Sequence, residues 1–183
     1  MFFVFGSGMF SVSTTMAHKP SPQDLIYGTV RKPAAPLAIG RDKLVSRLHT
    51  ALDSHVTSKN LGRLWVGVEI VLDRREGLVL QPDITFIVDG RESIVSDRVW
   101  GPPDMVLEVT SSHTHSGKLE ERVAWFSLYG VREYWLVQPQ QKDVAILELA
   151  HGGVRRRTLF DDVTPITSPL LPDFDRCLGE LLV

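Results

Sequence analysis

Asp83 and Glu108 each interrupt a run of residues that belongs in a protein interior: Asp83 in LQPDITF and Glu108 in MVLEVTS. A buried carboxylate without a partner is costly, so an acid in such a run calls for an opposite charge or a metal ion. In an extended strand Asp104, Val106 and Glu108 share one face. If the strands carrying Asp83 and Glu108 are neighbours, the two carboxylates converge at one end of a sheet. Two carboxylates, a backbone carbonyl (Val109 is the candidate) and several waters suit Mg²⁺, which prefers octahedral oxygen ligation. Such an ion binds a phosphate oxygen and lowers the pKa of an attacking water. It also relieves the repulsion between the two acids. Spacing alone leaves a plain ion pair open for either carboxylate.

The elements that must position these acids follow from periodicity. Leu44, Val45, Leu48, Leu52 and Val56 recur at helical spacing, which predicts a helix over residues 43–57 with Asp42 as its N-cap. Residues 64–72 are rich in β-branched side chains and predict a strand. Residues 79–88 predict a second, which pairs with the first as a hairpin, and Pro82 forces an edge position or bulge there. Residues 89–103 read as a polar loop. Residues 105–109 read as a strand buried on both faces, residues 119–129 as a helix closed by Gly130, and residues 133–137, 143–149 and 154–160 as strands. Leu25, Ile26 and Val30 suit a short turn or edge strand. A strand, a helix and a returning strand make a βαβ unit with parallel strands. The expected architecture is α/β, a mixed β-sheet flanked by helices.

Composition narrows the function classes. The chain has 183 residues, 43% hydrophobic and 23% charged, which suits one soluble domain. Twenty basic residues against 22 acidic ones give a formal charge of -2. That argues against a broad electrostatic nucleic-acid binder but leaves room for a local basic patch. Cys177 is the lone cysteine, so no internal disulfide forms and a reducing, cytoplasmic setting is expected. The apolar stretch at residues 1–15 lacks a positive n-region and is broken by Gly and Ser. It reads as a disordered tail, drawn here as residues 1–20, or as an over-extended start upstream of Met16. Residues 21–183 are expected to form a single domain with no membrane span.

At the two acids the sequence resembles the Uma-type restriction endonuclease family, a branch of the PD-(D/E)XK nucleases with the restriction-endonuclease-like core. The resemblance rests on three motifs in order: Gln81-Pro82-Asp83-Ile84, then residues 101–111 (GPPDMVLEVTS), then residues 129–137 (YGVREYWLV). The three occur in order within residues 64–149, with weaker similarity from Asp24 to the C-terminus. The resemblance implies Mg²⁺-dependent hydrolysis of phosphodiester bonds in DNA, with Mn²⁺ as a substitute ion. It carries the catalytic acids onto Asp83 and Glu108.

The motif also asks for a lysine two residues after the glutamate, where this chain has Thr110. In the family the basic residue is moved to the following helix, which here gives Arg122. An acid often precedes that residue by one helical turn, and here the position is Lys118. Lysine can lose its proton when buried, whereas arginine effectively cannot. Arg122 therefore suits a phosphate clamp but not a general base. Lys118, four residues earlier on the same face, is the candidate substitute, although a solvated surface cation describes it equally well.

Other residues carry weaker signals. His113 and His115 lie between Glu108 and the helix, but no third ligand has suitable spacing. Ser111 and Ser112 fit a turn better than a nucleophile. Arg155, Arg156 and Arg157 form a basic run that fits a solvated strand or a phosphate backbone. Glu69 is a reserve third acid, with His49 and Asp42 behind it. Trp125, Phe126, Tyr134 and Trp135 fit the core or a homodimer interface. The departures from the motif leave a second possibility, a catalytically degenerate relative that binds nucleic acid or a protein partner. A purely structural, dimerising module is a third.

Overall fold

The computed structural model describes residues 25–26, 29–30, 39–110 and 116–182, with side chains at 25–26, 29–30, 39 and 116–118 excluded. The first helix, α1, covers Ile39–Ser58. It buries Leu44, Val45, Leu48, Leu52 and Val56, the stripe that the 3.6-residue period predicts. The helix starts four residues earlier than periodicity alone suggests. Asp42 is thus an exposed first-turn acid, suited to the helix dipole, and not an N-cap.

The expected hairpin forms, but it is folded across two sheets. Its arms divide into β3 (Gly62–Val66) and β4 (Ile70–Asp73) on one side, and β5 (Leu78–Leu80) and β6 (Ile84–Val88) on the other. Ahead of them, β1 (Leu25–Ile26) and β2 (Thr29–Val30) pair as the short edge that Leu25, Ile26 and Val30 suggest. The β4 and β5 halves pair in a small sheet of order β2-β1-β5-β4-β7, where β7 is Val99–Trp100. The β3 and β6 halves pair at the edge of a larger sheet.

The break has a local cause. Pro82 has no N–H to give to a ladder. Opposite it Gly67 adopts a left-handed backbone, φ +60°, which costs a residue with a Cβ but not glycine. The Gly67 N–H then donates to the carbonyl of Asp83 at 2.9 Å. Asp83 therefore sits where the hairpin leaves one sheet for the other.

The larger sheet has the order β11-β10-β9-β8-β6-β3. Here β8 is Met105–Val109, β9 Glu133–Gln138, β10 Asp143–Ala150 and β11 Gly153–Phe160. Between β8 and β9 runs α2, Ser116–Tyr129, and the two strands are parallel as the crossover requires. Gly130 ends α2 with φ +96°, and the Gly130 and Val131 N–H groups both donate to the Phe126 carbonyl. A short helix, α3 (Leu178–Leu182), closes the chain.

Strand alternation sorts the core into two layers. Met105, Leu107 and Val109 face α1 and α3, together with Phe86, Trp135 and Val137. Val106 faces the other way and packs with Phe126 of α2, Tyr134, and Ile70 and Leu80 of the small sheet. The architecture is a mixed α/β fold in which a mixed sheet is flanked by helices on both faces.

One expectation needs correction. The stretch 89–103 is not all loop: it holds a 3₁₀ turn at Glu92–Ile94 and strand β7, parallel to β4. Two residues amid charged neighbours are too short to show a period, and only the burial of Val99 reveals the strand. Asp104, one residue ahead of β8, is buried. There it pairs with Arg91 at 2.7 Å and Arg132 at 3.3 Å, and accepts the Val88 N–H. No helix among the described residues is long and apolar enough to cross a membrane.

Candidate active site

Strands β6 and β8 are antiparallel neighbours with Phe86 opposite Met105, Thr85 opposite Val106 and Ile84 opposite Leu107. Asp83 comes just before the first paired residue of β6, Ile84, whose partner Leu107 precedes Glu108 on β8. The Asp83 N–H donates to Leu107 O at 3.1 Å, the carbonyl of Ile84's own partner, so the ladder slips by one residue at Asp83. The two acids that the sequence singles out thus lie at the same end of the β6–β8 pair, beside the hairpin break, near enough for the Glu108 charge to act on Asp83.

Each carboxylate is held by an arginine from a different helix. Arg41, in the first turn of α1, donates through Nη2 to both oxygens of Asp83, at 2.7 Å each. Its Nε donates to the Val109 carbonyl at 3.0 Å. The Val109 N–H in turn donates to Asp83 Oδ2 at 2.7 Å. From α2, Arg122 donates through Nε to Glu108 Oε1 at 2.7 Å, and its Nη2 contacts the same oxygen. The Tyr134 hydroxyl, on β9, donates to Glu108 Oε2 at 2.9 Å.

Burial shapes the electrostatics. The side chains of Asp83 and Glu108 are only 13% and 17% exposed. Burial pushes the Asp83 carboxyl above the usual carboxylate range. Arg41 and the Val109 N–H pull it back, Glu108 pushes it further up, and Arg122 pulls it down. Asp83 thus senses Glu108 and Arg122 as well as its own arginine, so these groups share one electrostatic neighbourhood. The buried Tyr134 phenol is driven well above its normal range, first by burial and then by the Glu108 charge. It remains a protonated donor.

The donor chemistry fits a hard divalent cation. A single guanidinium already bridges the Asp83 carboxylate and the Val109 carbonyl, so these oxygens converge on a place that holds positive charge. Among the described residues no group of three or more His, Cys, Asp or Glu is clustered for a metal. An ion here would take much of its shell from water, as Mg²⁺ does.

The remaining candidates separate clearly. Thr110, in the place of the motif lysine, donates its hydroxyl to Val137 O at 3.2 Å and its N–H to the same carbonyl at 2.9 Å. It is committed to the β9 backbone. Lys118 lies in the first turn of α2, one turn before Arg122, and its side chain is outside the described part. Ser111, Ser112, His113 and His115 lie outside the described residues, as does the stretch 1–24.

Glu69 lies just before β4 and pairs with Arg98 at 3.1 Å. Asp42 and His49 line a cleft of about 320 Å³ together with Arg41, Ser46, Gly67 and Asp83. Arg155, Arg156 and Arg157 are exposed on β11, and the first two pair with Glu148 at 3.1 and 3.7 Å. Phe126, Tyr134 and Trp135 are core residues, with Trp125 partly buried beside them.

Sequence reasoning missed Arg41 altogether. The signal was its position one turn ahead of Leu44 and Val45, on the stripe that Leu48 and Leu52 continue. An arginine on an apolar stripe needs a buried anion. Starting the helix at residue 43 left that position outside it. Tyr134 was read for its ring alone, whereas its hydroxyl supports Glu108.

A family model, Uma2, described as "Putative restriction endonuclease", matches residues 16–179. No curated protein matches the chain. Among solved structures, the chain is similar to a putative nuclease belonging to DUF820 from Anabaena variabilis. The TM-score is 0.71 and the identity 16%, over 87% of this chain and 88% of that one. At that identity the likeness is one of fold.

Proposed function

The chain belongs to the Uma2 family of putative restriction endonucleases, and from that premise we propose that it hydrolyses phosphodiester bonds in DNA with the help of Mg²⁺. The observation that carries this reading is that Asp83 and Glu108 share one electrostatic neighbourhood at the end of the β6–β8 pair, with Asp83 lining an open cleft. Asp83, Glu108 and the Val109 carbonyl are the proposed ligands, and Mn²⁺ is the proposed substitute ion. When bound, the ion supplies Lewis-acid polarisation of a phosphate oxygen and acidifies a nearby water.

The chain's own groups do the rest. Arg122 is the proposed clamp on the scissile phosphate, because its guanidinium stays charged at any working pH. Tyr134 holds Glu108 in one orientation through its hydroxyl. Lys118, one helical turn from Arg122, is the proposed proton acceptor that replaces the motif lysine. The proposed acting form is a homodimer of one domain, residues 21–183, in the cytoplasm. The lone cysteine suits that compartment.

The test is nicking of supercoiled plasmid by the full chain. Nicking is expected with Mg²⁺ or Mn²⁺, and none with EDTA. Asp83→Ala and Glu108→Ala should each abolish it. Activity that survives both substitutions rules out this site.

A specific observation favours a second reading. Both acids are already neutralised by arginines, and Thr110 is spent on the β9 backbone. A catalytically degenerate protein with this fold would bind nucleic acid or a protein partner without an ion. Salt-dependent DNA binding with no nicking and no ion uptake would support it.

A further inference from the structure

The geometry points to Arg41 as an internal counter-cation that sits on the ion's ligand oxygens and must leave before a divalent ion binds. This rests on the reading of Asp83 and Val109 as ligands. Arg41 touches both Asp83 oxygens and the Val109 carbonyl, which are two of the three groups assigned to the ion. A cation on those oxygens would stand in contact with a guanidinium of like charge, so the two occupancies exclude one another.

The two arginines of the site are not equivalent. Arg122 bears on Glu108 and is also tethered by its position over the Phe126 ring, 5.7 Å from the centroid. Arg41 instead lines the cleft of about 320 Å³ with Asp42, Ser46 and His49. Its side chain is 23% exposed. The cleft gives it room to swing out while α1 stays anchored by Leu44, Val45 and Leu48.

Closure by Arg41 weakens ion binding by the fraction of molecules in which it is open, since only the open form is competent. Removing the charge at position 41 therefore tightens binding.

The experiment is calorimetric titration of Mn²⁺ alone into the full chain, as wild type, Arg41→Gln, Arg41→Ala and Asp83→Asn. The two position-41 variants are expected to bind about tenfold or more tightly than wild type, and Asp83→Asn not at all. Equal or weaker binding in both position-41 variants, with wild-type binding lost in Asp83→Asn, overturns the Arg41 proposal and leaves the ion site standing. No binding by wild type or by either position-41 variant overturns the ion site itself, and the proposal with it.

If circular dichroism shows the position-41 variants unfolded, NMR of the Arg41 Nε–H group in wild type decides. Its hydrogen bond to Val109 O should be lost as Mg²⁺ saturates the protein. A resonance that does not move at saturation overturns the proposal.

Discussion

Tyr134 and Glu108 lie on neighbouring parallel strands, and the tyrosine hydroxyl donates to the carboxylate at 2.9 Å from a ring with no solvent exposure. Two residues separate them along the register, since Val106 is the direct partner of Tyr134 and Leu136 that of Glu108. The phenol reaches diagonally across the sheet. Tyr134→Phe keeps the packing with Phe126 and deletes this one donor. The expected cost is about 1.5–3 kcal/mol in chemical denaturation, the range for a hydrogen bond to a charged group. Nicking should fall as well, because Glu108 loses half of what orients it. Unchanged stability and activity would mean that the hydroxyl bond is not formed in solution.

Arg122 separates charge from shape. Arg122→Ala removes both donors on Glu108 Oε1 and should destabilise the fold by about 2 kcal/mol. If the guanidinium clamps a phosphate in the transition state, nicking falls by roughly 10²-fold. Arg122→Lys restores the charge without the fork and should recover only part of that loss. Full activity in Arg122→Ala, measured on the same plasmid, would remove this residue from the reaction.

Asp73 offers a pH test away from the acids. Its Oδ1 accepts the Glu76 and Arg75 N–H groups at the β4–β5 turn, and its Oδ2 accepts the Tyr129 hydroxyl from the end of α2. The Glu76 bond and then the Tyr129 bond hold its carboxyl below the ordinary value of 3.8. A depressed folded-state pKa gives stability that is present above the unfolded value and lost as pH falls through the folded one. Tyr129→Phe should raise the Asp73 pKa toward 3.8 in a carboxyl NMR titration, and should shrink the acid-side loss of stability. An unmoved titration would show that the tyrosine bond contributes nothing.

Much of this arrangement is legible in the residues, and the rest is hidden for identifiable reasons. The period of α1, the apolar run of β8 and the Gly130 stop of α2 are local signals, and each element forms over them, although α1 and α2 begin four and three residues earlier than expected. The nearness of Asp83 and Glu108 follows from the adjacency of β6 and β8, the condition under which the sequence lets the two acids converge. Folding of one hairpin over two sheets does not show as periodicity, because a break of alternation at Gly67 and Pro82 looks like a bulge until the partners are known. Strand β7 has two residues and no pattern at all. Arg41 is hidden for a different reason. Its partners, Asp83 and Val109, lie 42 and 68 residues away, so its charge reads as surface until the fold supplies the anion.

The most direct measurement is an anomalous difference map from crystals soaked in Mn²⁺. One peak is predicted between the Asp83 and Glu108 carboxylates, in contact with the Val109 carbonyl, with the Arg41 side chain turned into the cleft. A map with no peak at saturating ion and both arginines still seated on their acids would contradict a metal-dependent site in this fold.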